Sequence, residues 1–159
     1  MSPTNRYFIP LLMIGLLFGV FGFAAWMNSI LIPYFQITLE SNSVQTALVT
    51  FSFFTAYVVM PLPSSWLLKK IGFKKGIVSG LVIMALGTLL FIPAALTRTY
   101  GVFLLGLFFM GTGQAVLQTA ANPYITILGP IESAGQRNSL MGIFNKAAGI
   151  LSQRILGPI

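Results

Sequence analysis

The feature that most constrains this chain is a recurrence. Apolar stretches of membrane-spanning length follow one another from end to end, separated by short polar connections. They run over residues 7–34, 44–68, 76–96, 100–128 and 139–159. A helix needs about 20 mostly apolar residues to cross a bilayer. A soluble domain carries about 25 % charged residues, whereas this chain carries 7 % and is 56 % hydrophobic. Its surface could not be wetted, so its solvent is lipid over most of its length. The reading is an all-α membrane protein with about five transmembrane helices.

The same composition removes most chemistry. There is no cysteine, histidine or aspartate, and the only carboxylates are Glu40 and Glu132. Disulfides, thiolate or imidazole metal sites and Ser-His-Asp or Cys-His arrangements are therefore excluded. The chain is expected to be no enzyme and to hold no cofactor or metal. A net charge of +7 invites a nucleic-acid reading, but the basic residues sit in short loops between apolar runs rather than on a surface stripe.

Those loops set an orientation. Arg6 precedes the first stretch, Lys69, Lys70, Lys74 and Lys75 fill the connection after the second, and Arg137 lies between the fourth and fifth. The opposite side holds Glu40 and Arg98. Under the positive-inside rule the N-terminus and Glu132 are cytoplasmic and Glu40 is external. The first stretch is too long for a secretory h-region, and Trp26, Asn28 and Pro33 stand where a cleavage site would lie. Gly15 with Gly19, and Gly76 with Gly80, have the spacing of close helix contacts.

Polar residues inside apolar stretches are the candidate site. Gln114, Gln118 and Asn122 recur every four residues and form one carboxamide stripe on a helix face. Burying them against lipid would cost about 1–3 kcal/mol each. They are expected to face a water-filled cavity or to bond neighbouring helices, and both readings stand. A carboxamide donates and accepts, as a neutral polyhydroxylated ligand requires. Pro123 lacks an N–H and clashes with the Thr119 carbonyl, so a kink is expected there. Asn28 and Ser29 in the first stretch, and Asn145 in the fifth, are further polar candidates. Trp26 could stack on a sugar ring or serve as an interfacial anchor. Lys146 is a charge well inside a span and reads either as a coupling or gating residue or as a snorkelling lysine.

Four runs then carry a resemblance. Leu117-Gln118-Thr119-Ala120-Ala121-Asn122-Pro123-Tyr124, continuing to Pro130, resembles the fourth-helix signature of the fucose–galactose–glucose/H⁺ symporter family of the major facilitator superfamily. The run Pro61 to Gly76, the run Asn28 to Phe35, and Met141-Gly142-Ile143-Phe144-Asn145-Lys146-Ala147-Ala148-Gly149 are similar to that family's basic connection, first-helix end and fifth helix. The last points to its glucose/galactose branch. The resemblance implies twelve helices in two six-helix halves, of which this chain would be the N-terminal bundle, truncated before the sixth helix. It implies alternating-access transport of a neutral hexose across the cytoplasmic (inner) membrane, with the sugar, the lipid bilayer and a missing C-terminal half as partners.

Several positions depart from the family. Fucose-permease members have an aspartate at the place of Ser29 and a glutamate at that of Gln118, and those carboxylates are natural proton carriers. Serine and carboxamide are not, so H⁺ coupling here competes with Na⁺ coupling through oxygen ligands and with uncoupled passage. Ser65 stands at the loop pattern's glycine and Lys69 at its acidic position. Ser152-Gln153-Arg154 replaces an Ala-Pro-apolar run. The alternatives are a transporter of another small metabolite, such as an amino sugar or an anion drawn by Lys146, and a non-transporting truncated fragment.

Overall fold

The computed structural model describes residues 3–38 and 42–156. Among them the chain is helical: α1 (Pro3–Thr38), α2 (Ser43–Val59), α3 (Pro61–Ile71), α4 (Phe73–Thr97), α5 (Tyr100–Ile127) and α6 (Ala134–Leu156), with a 3-10 turn at Ile131–Ser133. By length and apolarity α1, α4 and α5 can each cross a membrane. The pair α2–α3 qualifies together, bent by 44° at its break.

That break revises the reading of 44–68 as one uninterrupted stretch. Met60-Pro61-Leu62-Pro63 places two prolines at the start of α3. Neither can donate a backbone hydrogen bond to the preceding turn, and each ring crowds the carbonyl four residues back. Ser64 N still bonds Met60 O at 2.9 Å, so the chain resumes as a helix in a new direction.

The structure falls into two compact units, one of residues 1–33 with 122–159 and one of residues 34–121. In the second unit, α5 packs between α2 and α4 by presenting glycine to both. A Cβ on Gly113 would lie 2.6 Å from Gly80 O and from Met84 N, and one on Gly106 would lie 3.0 Å from Gly87 O. On another face, a Cβ on Gly111 would lie 2.7 Å from Phe53 O. Backbones therefore meet backbones, the arrangement small residues allow in lipid. This explains why 56 % of the α5 span is buried against 28 % of α4. Residue numbers rise together along α2 and α5 (Ser52 Oγ donates to Leu104 O at 3.0 Å, Phe53 faces Gly111) and run oppositely along α4 and α5. Thus α2 is parallel to α5 and antiparallel to α4. With α3 only 11 residues long, about 16 Å of rise, the bent pair counts as one crossing.

In the first unit, α1 and α6 are parallel. Gly15 faces Phe144, Gly22 faces the Asn145 backbone, and Gly149 faces Trp26. The contacting glycines of α1 are Gly15 and Gly22, not Gly15 and Gly19, since a Cβ on Gly19 would meet nothing within 4 Å. The α6 helix is the polar one. Arg137, Asn138, Asn145, Lys146, Gln153 and Arg154 keep it out of the set apolar enough to cross unaided.

Candidate functional site

The carboxamide stripe lies on α5 and changes character along its length. Gln114 is buried, Gln118 is half-buried and Asn122, which α5 carries into the other unit, is exposed. The Tyr57 hydroxyl on α2 donates to Gln118 Oε1. That bond occupies the oxygen end of the carboxamide, and among the described residues no bond is made by its Nε2 amide, which can act as a donor. Tyr57 itself is positioned by stacking on Phe53, with ring centroids 6.5 Å apart and planes 13° from parallel. Among the described residues the Oε1 of Gln114 and the Oγ1 of Thr112 are buried without a hydrogen-bond partner. Each such orphan costs about 1–3 kcal/mol, so this stretch of α5 retains unspent hydrogen-bonding capacity in an apolar span.

Pro123 lies inside α5 without ending it. Thr119 Oγ1 bonds Ala115 O at 2.7 Å and Thr126 Oγ1 bonds Asn122 O at 3.2 Å, so hydroxyls attend backbone carbonyls on both sides of the proline. Such back-bonding favours local bending.

In the other unit, Trp26, Lys146, Gly149, Ile150 and Gln153 line a cavity of about 200 Å³. Two sequence candidates from opposite ends of the chain, Trp26 and Lys146, thus meet there. Gly149 makes this possible, because a Cβ on it would sit 2.6 Å from the Trp26 indole. Trp26 remains 38 % exposed, so its ring is available to a ligand in the cavity. An indole face, an ammonium and a carboxamide suit an apolar sugar face with its hydroxyls. Asn145 is engaged differently. Its Nδ2 donates to Phe18 O at 3.5 Å, and its backbone closes on Gly22. The side chains of Asn28 and Ser29 lie outside the described residues.

Lys69, Lys70, Lys74 and Lys75 are all exposed, clustered at the α3–α4 turn. Lys70 Nζ sits 3.8 Å from the centroid of the Trp66 ring.

Three residues escaped sequence reasoning. Tyr57 sits 61 positions from Gln118 and carried no local signal. Gly149 was named only as the last residue of the fifth-helix run, with no role of its own. Arg137 was assigned only to a basic loop, yet it caps the C-terminal end of α5, donating to Ile125 O and Thr126 O at 3.1 Å each.

Comparison with known proteins follows from this geometry. The sequence pattern of the Major Facilitator Superfamily matches residues 12–159. The chain is similar to the glucose/galactose transporter of Brucella abortus, at 44 % identity over 91 % of this chain and 35 % of that protein. It is similar to the L-fucose-proton symporter of Escherichia coli, at 39 % identity over 95 % of this chain and 34 % of that protein. The crystal structure of FucP in the outward conformation, a Major Facilitator Superfamily transporter, superposes with a TM-score of 0.83 at 39 % identity, covering 92 % of this chain and 35 % of that one. The chain spans about a third of the length of these relatives. It belongs to the Major Facilitator Superfamily and has that superfamily's all-α membrane fold.

Proposed function

We propose that this member of the Major Facilitator Superfamily forms the N-terminal part of a transporter that carries a neutral hexose across the cytoplasmic membrane by alternating access, with its N-terminus in the cytoplasm. The observation that carries the reading is the Tyr57–Gln118 pair, a neutral, oriented hydrogen-bonding group on the most buried span. A charged substrate would call for a countercharge, and α5 carries none. Hydroxyls are instead met within the second unit by the carboxamides of Gln118 and Gln114. Within the first unit, Asn122 and the cavity lined by Trp26, Lys146 and Gln153 offer a separate set of polar groups. Asn28 and Asn145 are further proposed substrate-binding residues, Lys146 and Ser29 are proposed coupling or gating residues, and Pro123 is a proposed kink. Midplane sugar binding between two halves is the general pattern of such transporters. Here α1 to α6 make up five crossings of one half, with α6 crossing on the strength of its packing against α1.

The coupling ion proposed here is Na⁺ or H⁺, and the fucose relatives are named as proton symporters. A proton carrier inside a span is normally a carboxylate whose charge can change. Here Glu132 is exposed in a connection, and no other carboxylate lies between residues 42 and 156. Proton coupling, if present, is carried by residues beyond this segment, whereas Na⁺ could use carboxamide and carbonyl oxygens.

Uptake of radiolabelled glucose, galactose and fucose into proteoliposomes holding the complete protein tests this. Gradients of Na⁺ and of H⁺ are imposed separately. Saturable uptake of a hexose, strongly reduced in Gln118→Ala, is expected. Absence of uptake under every gradient would overturn the hexose assignment, and competition by anionic sugars alone would move the site to an anion held by Lys146.

A further inference from the structure

The basic turn between α3 and α4 is not used by the transport reading, yet its electrostatics are unbalanced. Four lysines, Lys69, Lys70, Lys74 and Lys75, fall within seven residues, and all four are exposed. Lys69 and Lys70 occupy the last turn of α3, where a cation is favourable. Lys74 and Lys75 occupy the first turn of α4, which contains no acidic residue, so they stand against the positive end of its dipole. Gly72, with φ +79°, makes the turn between the two lysine pairs. No carboxylate lies on this hairpin. Among the described residues none of the four lysines is paired with a carboxylate within its own unit, which holds no acidic residue between 42 and 121.

The hairpin also has a membrane address. The helix α4, long and apolar enough to cross a membrane, begins at Phe73, so Lys74 and Lys75 stand at the end of a span, where basic residues meet the polar layer. Trp66, 62 % exposed, lies beneath Lys70 in a cation–π contact at 3.8 Å. Leu62 is 78 % exposed on the same short helix. An exposed aromatic beside a lysine cluster at a span's end is the arrangement of an interfacial anchor that meets headgroups.

We propose that the α3–α4 turn is a binding site for anionic phospholipid headgroups, in which Lys69, Lys70, Lys74 and Lys75 gather the phosphates and Trp66 seats the turn against the acyl boundary. The site recruits anionic lipid to the leaflet in which it lies and neutralises the first turn of α4. It is independent of the substrate carried.

The test uses the full protein in nanodiscs of phosphatidylcholine with a fixed fraction of phosphatidylglycerol. Bromine is placed near the headgroup end of the tails of one lipid or the other, and Trp66 fluorescence is read as the difference between wild type and Trp66→Phe. Brominated phosphatidylglycerol should quench Trp66 about threefold more per mole than brominated phosphatidylcholine at low salt. The preference should shrink in 1 M salt, where screening falls to about 3 Å, and vanish when all four lysines are changed to glutamine. Because those lysines are exposed, the fourfold variant keeps its packing, which thermal unfolding verifies. Equal quenching by the two lipids at low salt, or a preference that survives in the fourfold variant, would overturn the proposal. Inorganic phosphate at matched ionic strength should reduce the preference no more than chloride does. Loss of the preference in phosphate alone would mean that the site holds free phosphate rather than lipid.

Discussion

The guanidinium of Arg137 on α6 donates from Nε to the carbonyl of Ile125 at 3.1 Å, closing the end of α5. The last four carbonyls of a helix lack intrahelical partners, and Pro130 prevents the chain from supplying more N–H groups by continuing the helix. Arg137 takes two of these carbonyls, with Nη2 on Thr126 O, and is itself held by Ser133 through Nη1 at 2.6 Å. Its positive charge at a helix C-terminus is favourable in addition.

Replacing Arg137 by glutamine should therefore destabilise the protein by about 1–2 kcal/mol, the range for losing charge-assisted hydrogen bonds in a partly exposed site. Lysine should restore only part of this, because a point charge cannot span both carbonyls. Thermal unfolding in nanodiscs reads the difference. Identical midpoints for wild type and Arg137→Gln would remove Arg137 from the cap.

The glycine contacts make a sharper prediction because they separate residues of one type. Gly113→Ala places a methyl group 2.6 Å from the Gly80 carbonyl, where only backbone can yield. Overpacking of this kind costs about 1–3 kcal/mol. Gly19→Ala meets nothing within 4 Å and should be neutral or stabilise by about 0.5–1 kcal/mol through helix propensity. Equal effects of the two substitutions on the unfolding midpoint would contradict the packing described for α4 and α5.

What could be read from sequence was what depends on local pattern. The run between Lys75 and Arg98 delimits an apolar helix because charge marks both ends, four lysines at one and an arginine at the other. The four-residue spacing of Gln114, Gln118 and Asn122 places them on one face because helix geometry is fixed. What depends on tertiary partners was not legible. Nothing local pairs Tyr57 with Gln118, and nothing local separates Gly22, which packs on α6, from Gly19, which does not. The bend at Met60 was legible in principle, since Pro61 and Pro63 stand in the sequence. Reading by uncharged length alone passed over them.

Removing the Tyr57 hydroxyl should loosen the Gln118 carboxamide without changing its chemistry. Tyr57→Phe is expected to raise the KM for hexose uptake about 2- to 10-fold, the equivalent of one net hydrogen bond, with little change in protein yield or melting. Gln118→Glu tests the coupling argument at the same place. A carboxyl there can gain and lose a proton where a carboxamide cannot, so uptake should become dependent on external pH in a range where the wild type is flat. A pH profile unchanged by Gln118→Glu would place residue 118 away from the translocated species.

Trp26 is the remaining group whose role the cavity can decide. Trp26 and Trp66 are the two tryptophans of these 159 residues, so in the complete protein the Trp26 emission is read as the difference between the Trp66→Phe form and the form that also carries Trp26→Phe. That indole packs on Gly149 and keeps 38 % of its surface open beside Lys146 and Gln153. If it stacks on the sugar, a transported hexose should shift or quench its emission saturably, at concentrations matching the KM of uptake. Gly149→Ala drives a methyl into the indole and should alter emission in the absence of sugar while raising KM more than it lowers the maximal rate. Lys146→Gln should leave the emission response to a neutral hexose intact and weaken only inhibition by anionic sugars. An indole signal indifferent to every transported sugar would return Trp26 to the role of an interfacial anchor, and the carboxamides of α5 would then carry sugar recognition without it.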